Sequence, residues 1–137
     1  MPIVVSKPNV ATLRFHADDQ IPKGDWIWVF ASDAAGRHRS GTAKVAHVAF
    51  GARYGESSGP IGRAYGIVVT DKHGVPVQST SVVEHVAEFV SYARQHPRLK
   101  FFVTRLQSPI FTDSLIAPLF KYCPENCSLP AAWEPLL

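Results

Sequence analysis

Between Ser32 and Gly41 the chain reads SDAAGRHRSG, ten residues holding a carboxylate, an imidazole, two guanidiniums, two hydroxyls and two glycines. Asp33 and His38 are the groups here that could position or activate a water, the task of a general acid or base. Arg37 and Arg39 could pair with phosphate, and Gly36 and Gly41 could let the backbone approach an anion closely. The same residue types also form turns and cap helices, so the loop admits a purely structural reading.

The flanking elements decide what such a loop can face. Before it, Trp26–Phe30 is an unbroken apolar block, as expected of a strand buried on both faces. After it, a helix is expected from Ser40 or Gly41 to about Phe50, with Ala43, Ala46, Ala49 and Phe50 on one face. A loop that leaves a buried strand and enters a helix presents free amides and the positive end of the helix dipole, both suited to phosphate. In open α/β sheets ligands bind in the crevice beyond the carboxyl ends of the strands.

Further along, Ala64–Thr70 reads as a strand, and Ser81-Val82-Val83-Glu84 has the form of a capping box opening a second helix. Val82, Val83, Val86, Phe89, Val90 and Ala93 repeat at helical spacing, and His96-Pro97 closes that helix. Lys100–Thr104 is a strand, and a short third helix follows Thr112-Asp113 with Ile116, Leu119 and Phe120 inward. Ser128–Leu129 adds a last short strand. Two short strands, Ile3–Val5 and Thr12–Phe15, precede the polar loop His16 to Asp25, where His16, Asp18 and Asp19 read as solvated turn residues rather than a metal cluster. Strands alternating with helices indicate a single layered α/β sandwich around a largely parallel or mixed sheet.

Seven of the nine glycines lie between Gly36 and Gly66. The pattern lacks the G-x-x-x-x-G-K-[ST] of a P-loop and a clean G-x-G-x-x-G, so tight turns compete with a phosphate cradle as its explanation. The 137 residues carry a net charge of +3, with 46% hydrophobic and 18% charged residues. This is a globular composition, too weakly basic to indicate nucleic-acid binding. No apolar run is long enough to span a bilayer, and the N-terminus does not read as a signal peptide, so a cytoplasmic location without membrane partners is expected. Cys123 and Cys127 form a lone C-x₃-C without a second pair or a nearby histidine, so they read as reduced thiols and no metal is expected. His47, His73, His85 and His96 read as helix-surface or turn residues.

The combination VFASDAAGRH, SGTAKVA, FGARYG and GPIGRAYGI, followed by FFVTR and IAPLF, resembles a family of small macrodomain-like proteins of bacteria and their phages. Family members carry VFGSNLAGRHGKGAA, FGAxYGQGEGLQGRSYAIPT and FFVTRIGCGLAG. The resemblance spans roughly residues 25–120. It implies a three-layer α/β/α sandwich that binds ADP-ribose or a related nucleotide, without a cofactor. It further implies that Ser32, Gly36, Arg37, His38 and Gly41 form the first ligand loop, continued by Gly55, Gly59, Gly62, Arg63 and Tyr65. Asp33 stands where the family has asparagine, and Arg39 where it has glycine. After Arg105, LQSPIFT replaces the glycine-rich IGCGLAG, with Pro109 removing an amide donor.

Three functions follow as expectations. A binder of an ADP-ribose-like nucleotide would use Ser32, Gly36, Arg37, Arg39, Gly41, Gly59, Gly62 and Arg63. An ADP-ribosyl hydrolase would add Asp33 and His38 as catalytic groups. A scaffold that has turned to protein contacts, one conceivable use being interference with a host defence, would expose Ile110 and Phe111, unless these fold inward to plug the pocket.

Overall fold

The computed structural model describes residues 14–18, 20–106 and 110–137. Ile3–Val5, Thr12 and Leu13 of Thr12–Phe15, Asp19 and Pro109 fall outside the described residues. The remainder forms a six-stranded mixed sheet with helical segments on both faces. Its strands are β1 (Phe15–His16), β2 (Trp26–Asp33), β3 (Gly59–Ile61), β4 (Ala64–Thr70), β5 (Lys100–Val103) and β6 (Cys127–Pro130). The spatial order is β1-β6-β5-β2-β4-β3. All neighbouring pairs are parallel except β3 with β4. The helices are α1 (Gly41–Phe50), α2 (Ser79–Gln95) and α3 (Asp113–Ile116), with 3₁₀ turns over Ala117–Phe120 and Ala131–Leu136. No helix among the described residues is long and apolar enough to cross a membrane.

The period-2 alternation of β2 divides the core into two parts. Trp26, Trp28 and Phe30 point to one face and pack with Ala46 and Phe50 of α1, Ala52, Ile61, Ala64 and Phe102. Val29 points to the other, with Tyr65, Ile67 and Val69 of β4, the α2 residues Val82, Val86, Phe89 and Ala93, and the C-terminal Trp133. Both faces of β2 are therefore covered, which is why its sequence is apolar from Trp26 to Ala31.

The small residues of α1 let it lie close to the sheet, although Ala49 is exposed rather than inward. Helix α2 corrects the expected capping box. It begins at Ser79 with Gln78 at the N-cap position, so Ser81 and Glu84 lie within the helix and no side chain caps it. The entry is set instead by the sheet: Val77 N–H donates to Val69 O at 3.0 Å, and Pro76 bridges to Thr70, which aims the chain into the helix early. Cys123 and Cys127 are both buried free thiols. A hydrogen bond with Cys123, together with burial, pushes the Cys127 thiol far up, leaving it protonated.

The connectivity contains a topological switch. From β2 the chain crosses by way of α1 to β4 on one side, whereas from β5 it crosses through α3 to β6 on the other. Strands β2 and β5 are adjacent and parallel, with Trp28 beside Phe102 and Val29 beside Val103. Their carboxyl ends are consequently left without a covering connection between them, the position at which open α/β sheets form a binding crevice.

Candidate functional site

A cleft of about 590 Å³ opens at this switch point. One wall is the start of α1, with Gly41, Thr42 and Val45, and the facing wall is the loop after β1, with Ala17, Asp18, Gln20 and Ile21. The floor is Trp28, Phe102 and His16, and Thr104 and Arg105 close the end beyond β5. The volume falls in the range of small-molecule sites, which run from about 300 to 1,000 Å³.

The floor is a row of stacked rings. His16 stacks on Phe102 with centroids 3.7 Å apart, Phe102 on Trp28 at 5.6 Å, and Trp28 on Phe50 at 5.1 Å. The Arg63 guanidinium covers the far end of the row, 5.4 Å from the Phe50 centroid. His16 lies two strands from β5 and reaches Phe102 across Ser128 of β6, a residue small enough to be leaned over. The Ser128 hydroxyl and His16 Nδ1 share a hydrogen bond of 2.8 Å. His16 is therefore buried, not a solvated turn residue. Burial lowers its pKa from 6.5 to about 4, against smaller upward effects from the Val103 backbone and Asp18, so the imidazole is neutral near pH 7. Among the described residues no group of three or more histidines, cysteines or carboxylates is placed to hold a metal ion.

The start of α1 is suited to anions. Ser40 precedes it in extended conformation, its hydroxyl makes no capping bond, and the first turn holds no acidic residue. The Trp28 indole N–H donates to Thr42 O at 2.9 Å, fastening this first turn to the cleft floor. Beyond β5, Thr104 Oγ donates to Val29 O at 2.7 Å and ties the strand ends together. Arg105 donates to Asp18 from Nη1 at 2.8 Å and to both oxygens of Asp113. Burial pushes the Asp113 carboxyl up, but the bonds from Arg105 and from Trp133 Nε1, at 3.0 Å, outweigh it and hold the pKa low. Trp133→Phe keeps an aromatic ring in place but removes that donor, and is expected to cost about 1–2 kcal/mol in denaturant unfolding.

Of the residues expected to bind or act on a ligand, Gly41 lines the cleft and the others lie elsewhere. Asp33 closes its own turn: it accepts from Arg37 N–H at 3.3 Å and pairs with the Arg37 guanidinium at 3.7 Å, while Arg37 also donates to Lys72 O. His38 is buried with φ of 53°, uncommon for a non-glycine residue. Its Nε2 lies 2.9 Å from Arg53 O and 3.0 Å from Glu56 O, so it donates to these carbonyls and pins the 53–56 loop. Ser32 is buried and bonds to Asp33 O, and Arg39 is exposed.

Gly36 and Gly62 serve close chain approaches. A Cβ on Gly36 would lie 2.7 Å from Glu56 N, and one on Gly62 would lie 2.6 Å from Gly51 O. Gly59 pairs with Gly66 in the β3–β4 ladder, and Gly55 N–H donates to Gly36 O at 3.0 Å. Arg63 donates to Ala49 O at 2.9 Å, at the opposite end of α1 from the cleft. Tyr65 faces α2, against Phe89 and Tyr92, and burial raises its pKa to about 12.

Ile110 is exposed, whereas Phe111 is buried in the core on the α2 side of the sheet. Phe111 therefore folds inward but does not plug the cleft, which lies on the α1 side. Sequence reasoning passed over Trp28, Thr42, Phe102, Thr104 and Arg105 as site residues. The available signal was the polar pair Thr104-Arg105 directly after a buried strand, at its carboxyl end. Comparison with protein-family models, with curated proteins and with solved structures finds no match to this chain.

Proposed function

We propose that the chain is a macrodomain-like three-layer α/β/α module that binds ADP-ribose or a related nucleotide derivative in the cleft between α1 and the β1–β2 loop. The observation that carries this reading is the coincidence of two features: the cleft lies at the switch point of the sheet, and the uncapped start of α1 opens into it. A diphosphate would accept from the first-turn amides at Gly41 and Thr42. The apolar lining from Ile21 and Val45 would take the less polar parts of the ligand. The resemblance of VFASDAAGRH and the glycine segments to macrodomain-like proteins supports the choice of ligand class.

Binding is favoured over hydrolysis because Asp33 and His38 are committed to holding their own loops and neither lines the cleft. Titration of ADP-ribose into isotopically labelled protein, followed by amide and indole NMR, tests the placement. The largest shifts are expected at the Gly41 and Thr42 amides and at the Trp28 indole. Shifts confined to residues 53–63, or none at millimolar ligand, would remove the proposal.

A further inference from the structure

Among the described residues lining the cleft, Arg105 carries the only permanent positive charge, and two carboxylates already hold it. The two are held differently. Asp113 opens α3, its side chain is 19% exposed, and it is fixed by Trp133 as well as Arg105. Asp18 sits in the β1–β2 loop on the cleft wall with its side chain 45% exposed. Asp113 takes the Nε and Nη2 side of the guanidinium fork, whereas Asp18 takes Nη1 alone. The cluster thus holds one negative charge in excess, an unfavourable surrounding for an anionic ligand at the only cation the cleft offers.

We propose that Arg105 is an anion seat of the cleft that Asp18 occupies when no ligand is bound, and that a phosphate of the ligand binds by replacing Asp18 on Nη1. The inference rests on the cleft being the ligand site. Asp113 stays in place through the exchange and keeps the guanidinium aimed. A half-exposed ion pair is worth little, so its loss costs little. A phosphate oxygen on the same donor forms a charge-assisted bond in its place, so the exchange keeps the guanidinium paired. Asp18 is then a competitor built into the cleft wall: its removal tightens binding, the reverse of what deleting a contact residue does.

Calorimetric titration with ADP-ribose of wild type, Asp18→Asn, Asp18→Glu, Arg105→Gln and the Asp18→Asn/Arg105→Gln double variant tests this. Asp18→Asn is expected to bind about two- to fivefold tighter, the equivalent of a weak exposed ion pair. Asp18→Glu is expected to stay near wild type. Arg105→Gln is expected to weaken binding about tenfold or more and to erase the Asp18→Asn gain, since the two act on one seat. If ADP-ribose binds wild type but Asp18→Asn is unchanged or weaker, the seat is wrong while the cleft reading stands. If ADP-ribose binds none of them, the nucleotide reading falls and the seat is judged with inorganic pyrophosphate, followed through the Arg105 Nε–H resonance. A larger shift in Asp18→Asn than in wild type supports the seat, and no shift in either overturns it.

Discussion

Gly62→Ala is expected to destabilise the ligand-free protein by about 3 kcal/mol, combining the penalty of a left-handed residue with that of overpacking. Gly62 has φ of 59°, and an added Cβ would meet Gly51 O at 2.6 Å and Phe50 O at 3.0 Å. These are backbone atoms at the end of α1, held in turn by the bond from Arg63 N–H to Phe50 O at 2.8 Å. They cannot move aside as a flexible side chain would. Gly66→Ala provides a check without the left-handed component, since its Cβ would lie only 2.2 Å from Ser57 O. Urea unfolding of the two variants is expected to show comparable losses. Had Gly62 served a ligand, as the sequence alone suggested, its substitution would weaken binding and leave the ligand-free stability near wild type.

The second large effect is on pH dependence. The folded-state pKa of His16 is about 4 against 6.5 for the free side chain, chiefly through burial. Between these values the unfolded chain holds a proton that the folded chain does not, so stability rises with pH across this window. The contribution is fully present above pH 6.5 and is lost as the pH falls towards 4. It amounts to on the order of 3 kcal/mol for a shift of this size. Carboxylates with lowered pKa values, such as Asp71 and Asp113, add acid sensitivity of the same sign, so the comparison of two proteins isolates the histidine. In denaturant unfolding at pH 4.5, 5.5 and 7, His16→Gln is expected to lose less stability on acidification than wild type. Parallel pH profiles for the two proteins would show that His16 does not carry the effect.

Element types were legible where one period dominated. The apolar run of β2, the AYGIVVT strand and the valine and phenylalanine spacing of α2 each have one physical solution. The start of α2 was misread because Ser81 and Glu84 satisfy a local rule, while the chain is turned into the helix earlier by long-range bonds to β4. The short strand β3 left no signal, since two of its three residues are glycine and proline.

The site was legible only in part. Glycines look alike in sequence whether they admit a ligand or another strand of the same protein. Here Gly36 and Gly62 make room for the chain itself, and Gly41 borders the cleft. His16, Trp28, Phe102 and Arg105 come from three separated segments and converge through strand order, which no local pattern encodes. Once β5 is known to lie beside β2 with the chain departing in opposite directions, the crevice at Thr104 and Arg105 follows from topology.

The most direct test of the central claim is calorimetric titration of ADP-ribose into wild type and Thr42→Glu. A glutamate in the first turn of α1 favours the helix dipole, so the variant is expected to melt at or above the wild-type temperature. It would also place a carboxylate where the ligand phosphate must sit. Saturable binding to wild type, weakened by about tenfold or more in Thr42→Glu without loss of stability, is the result the cleft reading requires. Equal affinity in the two proteins, or no heat from wild type at millimolar ADP-ribose, would contradict it.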